Sequence, residues 1–502
     1  MSNRRKSIKN LLYSILGQVV TIAFGLVLPR LFVVSYGSEV NGLLNSLNQL
    51  LICLNLFEAG VGAATMQALY KPVAQSDWSA INGVLSATNR YYRKTGRWYL
   101  LSLIGLSLCY PLIVDSELSY LTVCGAVFFS GIGNVVLFYF QGKYRFLLQA
   151  EGKSYIITNL TTIVSVGVSL SKVVLILLGA NIVLILAAAF LIQCLQAVYI
   201  LWYIRRNYRD LHLNVPPNEQ AIAQKDFALI HQISTLIFNN TDVLILTVVC
   251  GLRVVSVYSM FKMVTSHLET ILRIFYDSIS FVLGQTYQMD KALYTRRIDL
   301  VESYHSAVLY ALFSVALFLF LPFMRLYTAG VTDINYVDPK LAVLFVLCSL
   351  MDKSRFPMVQ TINYAGHYKE TTPQTITESV INLTVSLVGV HFLGIYGVLL
   401  GTIAAMAYRT NDIIIYANRR LLDRSPWHTY RIYLIDIVLF CVTELLFSRL
   451  FTRPMDSYLS LVTVGAEATL LALFILMGGQ SLLSPHCRTF LAQLVKTRQL
   501  PR

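Results

Sequence analysis

Four asparagines lie close together near one end of this chain: Asn41, Asn45, Asn48 and Asn55. At 3.6 residues per turn they fall within about 80° of one another, so a helix would carry them as a single amide stripe. A second set, Lys262, Glu269, Arg273 and Asp277, also shares one helical face. Further polar groups sit inside otherwise apolar runs: His231, Thr235, Asn239 and Asp242, then Asp352, Lys353, Arg355 and Asn363, then Arg409, Asn411 and Asp412, with Arg30 far upstream. Cations hold phosphate through charge-assisted hydrogen bonds, and amides exchange hydrogen bonds with hydroxyls. Together they suit an anionic, hydroxyl-rich solute. Taken singly, each has a plainer reading. Glu269–Arg273 and Arg273–Asp277 are i,i+4 pairs that can neutralise each other, asparagine stripes can glue helices together, and Arg30 or Arg409 can snorkel.

These groups matter because of what surrounds them. The chain has 502 residues, of which 56% are hydrophobic and 13% charged, and its mean hydropathy is +0.61. A soluble domain carries about 25% charged residues, so a soluble enzyme, a disordered chain and a coiled coil are excluded. Fourteen largely apolar segments are long enough to span a bilayer: 11–34, 41–66, 98–114, 119–140, 155–178, 181–204, 227–250, 255–283, 304–328, 340–365, 373–393, 396–418, 431–450 and 458–480. The runs are too long and too uniform for a β-barrel. The expected fold is an all-α polytopic membrane protein of about 14 helices. The apolar stretch after MSNRRKSIKN exceeds a signal-peptide core of about 7–15 residues and reads as the first span.

Of the 40 basic residues, 28 fall in one alternating set of loops, 4 in the other and 8 inside the spans. The positive-inside rule then puts both termini and the basic loops in the cytoplasm. That placement accounts for the net charge of +14 without nucleic acid. The outer loops are short. There is no GxxxxGK[ST], HExxH or GxSxG. The eight cysteines form no CxxC pair, and the eight histidines, His267 and His391 among them, are scattered. No catalytic residue, metal-ligand set or cofactor is expected. Coupling to Na⁺ or H⁺ through Glu58, Asp242 or Glu269 remains open, since in-membrane carboxylates carry such relays.

Shifting the sequence by 214 residues brings its halves into register. Gln18 meets Gln232, Thr21 meets Thr235, Gly37 meets Gly251, and the third span overlays the ninth. That offset covers six spans, an even number, so the halves share an orientation. Two six-helix lobes are expected, 1–215 and 216–425, related by a pseudo-twofold axis along the membrane normal. Helices 13 and 14 and a cytoplasmic tail (426–502) are appended, and substrate would bind between the lobes.

The run RLFVVSYGSEVNGLLNSLNQLLICLNLFEAGVGAATMQALYKPVAQSDWSAI resembles the first two helices of bacterial polysaccharide flippases of the O-antigen (Wzx) type. FNNTDVLILTVVCGLRVVSVYSMFKMV resembles the second half of the same family. The wider superfamily also holds lipid II flippases and multidrug/cation antiporters. The resemblance implies a flippase of the bacterial inner membrane. It would move an undecaprenyl-pyrophosphate-linked oligosaccharide to the outer leaflet by rocking of two bundles, with membrane lipids and the pathway's glycosyltransferases and polymerase as partners. Lipid II flippases carry cavity arginines on helices 1, 2 and 8. Arg30 and Arg273 sit on matching helices, but helix 2 here has asparagines and Glu58, which favours a different glycan. The two last helices would help to form a groove for the lipid tail. On this reading Arg30, Lys262, Arg273 and Arg355 hold pyrophosphate, and Asn41, Asn45, Asn48, Asn55 and Asn239 contact sugar. The alternatives are a cation-coupled multidrug antiporter, which would favour an acidic, aromatic cavity, and a membrane glycan polymerase or ligase, which would need a sizeable outer loop.

Overall fold

The computed structural model describes residues 3–55, 61–219 and 240–489, and every regular element among them is helical. In chain order these are α1 (Asn3–Leu54), α2 (Val61–Gln75), α3 (Trp78–Ile113), α4 (Tyr120–Phe140), α5 (Gly142–Ala150), α6 (Ser154–Leu177), α7 (Ile182–Asn207) and α8 (Asn240–Val249). There follow α9 (Leu252–Met289), α10 (Lys291–Tyr327), α11 (Pro339–Ser354), α12 (Phe356–Ala365), α13 (Tyr368–Leu393), α14 (Ile395–Tyr416), α15 (Trp427–Leu450) and α16 (Tyr458–Leu483). Among the described residues nine helices are long and apolar enough to cross a membrane. The chain is a multi-pass membrane protein.

The apolar runs locate the helices, but three features depart from the expected spans. First, some helices outrun their apolar part. α3 begins at Trp78, twenty residues before the expected start, where Asp77 caps it by accepting the Ala80 N–H at 3.0 Å. α10 begins at Lys291, where Asp290 accepts the Leu293 N–H at 2.9 Å. Hydropathy marks only the lipid-facing stretch, whereas a side-chain cap sets the true end. Second, within the expected 41–66 span α1 closes at Leu54 and α2 opens at Val61, and residues 56–60 lie outside the described residues. Third, the expected 340–365 span breaks at Arg355 into α11 and α12. Pro357 supplies the reason. It has no N–H for the Lys353 carbonyl, and its ring crowds that carbonyl. His305 Nε2 donates to the freed oxygen at 3.0 Å.

The 214-residue offset appears in the backbone. Gly37 (φ 85°) interrupts α1, and Gly251 (φ 82°) sits between α8 and α9. Both need the left-handed region that glycine enters freely. α3 and α10 end at Ile113 and Tyr327, again 214 residues apart.

The chain divides into two compact units, Met1–Ser256 and Val257–Arg502. In the first, Leu43, Leu47, Tyr92, Tyr99, Ile185 and Ile200 form a buried core. In the second, α13 and α14 pack backbone to backbone. A Cβ on Gly397 would lie 2.1 Å from the Gly389 carbonyl, so only glycine permits this approach.

Candidate functional site

A cavity of about 990 Å³ lies inside the first unit, at the upper end of the roughly 300–1,000 Å³ typical of pockets for drug-sized ligands. Beyond Gly37, α1 presents Asn41, Asn45 and Asn48 to it, and Asn55 follows directly after the helix ends. Asn41 to Leu54 is about 20 Å of helix at 1.5 Å per residue. The facing wall is α6, whose Thr158, Thr161, Thr162, Ser165, Ser169 and Lys172 recur at three- and four-residue spacings and therefore share one face. α7 adds Gln193 and Gln196, α4 adds Asn134, and α5 brings Arg145. Phe129, Phe138 and Phe190 complete the lining. No carboxylate is among the described residues that line the cavity.

Part of this polar wall is tied down. Asn41 Nδ2 donates to Ser256 Oγ at 2.7 Å, and Asn45 Nδ2 donates to the Asn41 carbonyl at 2.8 Å. Asn134 Nδ2 reaches Tyr99 Oη at 3.1 Å and Asn55 Oδ1 at 3.3 Å, and Gln196 Nε2 reaches Gln141 Oε1 at 2.9 Å. These bonds orient the amides. Asn48, Gln193 and Lys172 line the cavity and make no side-chain hydrogen bond or ion pair with other described residues. Asn48 and Lys172 are thus available to a ligand, whereas Gln193 Oε1 packs against Gly133 on α4.

On the cytoplasmic side of the expected topology, α5 carries a buried lysine. Lys143 Nζ donates to Asn89 Oδ1 at 2.6 Å. Burial, and then the charge of Arg93, pull this ammonium down to about 8.

The second unit treats charge differently. Lys353 bridges Glu269 on α9 (3.3 Å) and its neighbour Asp352 (2.6 Å). Arg355, at the α11–α12 break, pairs with Asp352 at 2.8 Å and with Glu378 on α13 at 2.9 Å. Arg409 on α14 lies 3.8 Å from Glu378 and closes on Asp412. Four carboxylates and three cations thus alternate across α9, α11, α13 and α14. Beside the chain is a pocket of about 200 Å³ lined by Glu269, Arg273, His305, Lys353 and Phe356 among others.

The residues singled out from the sequence are therefore divided between the units. The amides Asn41, Asn45, Asn48 and Asn55 meet in the first-unit cavity. Arg30 is half-buried on α1, next to the wall residue Pro29, and does not itself line the cavity. Asp242 is buried on α8. Arg273 and Glu269 meet at the small second-unit pocket, and Glu269 also accepts from Ser349 at 2.8 Å. Lys262 is exposed on α9. Arg355 is paired with half-buried Asp352 and with buried Glu378, and lines neither the amide-walled cavity nor the small pocket. Asn239 and Glu58 lie outside the described residues. Lys172, Arg145 and the hydroxyl face of α6 are cavity residues that the sequence reading does not pick out. The signal of the α6 residues is present as a 3.6-residue period of Thr and Ser ending on a lysine.

No protein-family model matches the chain, and no curated protein matches its sequence. Solved structures do match its fold. The lipid II flippase MurJ in an inward closed conformation superposes with a TM-score of 0.66 at 13% identity, covering 92% of this chain and 98% of that one. An inward-facing multidrug resistance MATE family transporter of the MOP superfamily gives 0.61 at 16% identity, covering 80% and 95%. A MATE protein in the bent conformation gives 0.54 at 15% identity, covering 84% and 94%. The chain has the fold that these transporters share.

Proposed function

We propose that the protein is a flippase that carries an undecaprenyl-pyrophosphate-linked oligosaccharide from the cytoplasmic to the outer leaflet of a bacterial inner membrane by alternating access. The observation that carries this reading is the first-unit cavity, with its long wall of amides and hydroxyls, its two cations and its lack of a lining carboxylate among the described residues. Amides and hydroxyls both donate and accept, which matches sugar hydroxyls. Lys172 and Arg145 supply donors for the pyrophosphate, and the prenyl chain stays in lipid. Both termini would be cytoplasmic. The working unit would be two six-helix lobes, 1–215 and 216–425, with α15 and α16 appended. Arg30, Lys262 and Arg273 are further candidates for anion contact. The transporter fold speaks against an enzyme.

The competing reading is a cation-coupled drug antiporter, for which buried Asp242 in the first unit is the supporting observation. A leaflet assay separates the two. The protein is reconstituted in liposomes with a short undecaprenyl-pyrophosphate glycan, and access of an external sugar-modifying enzyme to the inner pool is followed. Protein-dependent exposure supports the flippase. No exposure, together with ion-driven efflux of a cationic dye, moves the protein to the antiporter reading.

A further inference from the structure

Three residues far apart in sequence converge in the second unit: Asp299 on α10, His428 at the start of α15 and His486 just beyond α16. His428 Nε2 lies 3.3 Å from Asp299 Oδ1, and His486 Nδ1 lies 3.7 Å from Asp299 Oδ2. The two imidazole centroids are 4.9 Å apart at 63°. One ligating atom from each residue falls within 4.8 Å of the others. His428 Nε2 is buried and, apart from its approach to Asp299 Oδ1, has no hydrogen-bond partner among the described residues.

We propose that this cluster is a transition-metal site, with Zn²⁺ as the best-suited ion, that clamps the C-terminal helix pair to α10. Two imidazoles and one carboxylate form a ligand set that zinc accepts in tetrahedral geometry, with the fourth position left for water. That position would lie beside half-exposed His486. The surroundings supply an outer shell. Arg424 pairs with Asp299, donates to Glu302 Oε2 at 2.7 Å, and donates from Nε to Asn418 Oδ1 at 2.5 Å. Such partners fix the orientation of a ligating carboxylate. Asp299, Glu302 and Arg424 together leave one negative charge facing the cation, and neutral imidazoles add none. The metal would join positions 299, 428 and 486, so it would close two long loops at once. Loop-closure cost rises with loop length, so such a bridge favours the folded arrangement of α15 and α16.

The test uses the full-length chain in detergent, stripped with a chelator and titrated with Co²⁺ as a visible probe, then with Zn²⁺. One Co²⁺ per chain is expected, with the absorption of tetrahedral N/O ligation, displaced by Zn²⁺. Zn²⁺ should also raise the thermal midpoint. His486→Ala removes a half-exposed ligand and leaves the Arg424–Asp299 pair in place, so that variant should fold. Its affinity should fall by more than the roughly 10–100-fold typical of losing a residue that only orients a ligand. His428→Ala/His486→Ala should lose both the absorption and the Zn²⁺-dependent rise in midpoint, while His267→Ala and His391→Ala keep them. No Co²⁺ uptake by the parent chain, or unchanged uptake by the double variant, overturns the proposal.

Discussion

Lys172→Met is the sharpest test of where the substrate anion binds. Lys172 lines the first-unit cavity with no hydrogen bond or ion pair to other described residues, so its removal orphans no protein group. Methionine keeps the length and the packing of the stem. If Nζ contacts pyrophosphate, the variant loses one charge-assisted hydrogen bond, a net contribution of about 1.5–3 kcal/mol. At about 1.4 kcal/mol per tenfold, the apparent affinity for the lipid-linked glycan should fall by roughly 10- to 150-fold. Stability should move the other way or not at all, because a lysine within a span costs up to about 2.5–3.5 kcal/mol on insertion scales. The leaflet assay, run across substrate concentrations, reads the first effect, and a detergent melting curve reads the second. Lys172→Arg should restore most of the activity. Leaflet transfer by Lys172→Met within twofold of the parent would refute the argument. So would a lowered melting midpoint, since that would make Lys172 a packing residue.

Four further substitutions test the fold that surrounds the site. Gly251→Ala introduces a Cβ at φ 82° with nothing within 4 Å, so the loss should be the backbone cost alone, about 1–2 kcal/mol; Gly42→Ala, whose Cβ would stand 1.8 Å from the Leu252 carbonyl oxygen, should cost more, and comparative melting ranks the two. Glu378→Gln keeps the shape but removes the charge that Arg355 and Arg409 share; each arginine retains one aspartate, so a destabilisation of about 1–3 kcal/mol is expected rather than unfolding, and an unchanged midpoint would show the pair to be dispensable. Lys143, held at about 8 against its ordinary 10.5, pays its burial cost in full below pH 8 and sheds it as pH rises to 10.5, because the unfolded chain then binds more protons; stability should climb across that window, and Lys143→Met should flatten the climb.

Much of the fold can be read from the apolar runs, because in lipid every span must satisfy its own backbone. The helix ends are less legible. α3 and α10 continue past their apolar stretches, and Asp77 and Asp290 fix where they begin. The break at Pro357 has a local signal, a proline in the middle of a span. What the sequence hides is that His305, 52 residues earlier, takes up the freed carbonyl. The amide stripe on α1 is legible because asparagine is rare enough in a span to stand out. The hydroxyl face of α6 is not, because threonine can satisfy itself on its own helix, as Thr162 does by donating to the Thr158 carbonyl at 2.9 Å. The Arg355–Glu378 pair and the Asp299–His428–His486 cluster leave no local pattern, since their members meet only through tertiary packing.

The two units handle in-membrane charge in opposite ways, and that contrast bears on where an anion can bind. In the second unit Lys353, Arg355 and Arg409 are interleaved with Glu269, Asp352, Glu378 and Asp412. Their fields cancel at short range. A buried network of this kind is costly to break and adds little net stability over apolar packing, so its value lies in fixing how α9, α11, α13 and α14 meet. In the first unit Lys172 and Arg145 face a cavity with no lining carboxylate among the described residues, so their potential reaches the cavity uncancelled. A cation without a partner is worth keeping in a span only if something else neutralises it for part of the cycle. A diphosphate passing an amide-lined wall would do so.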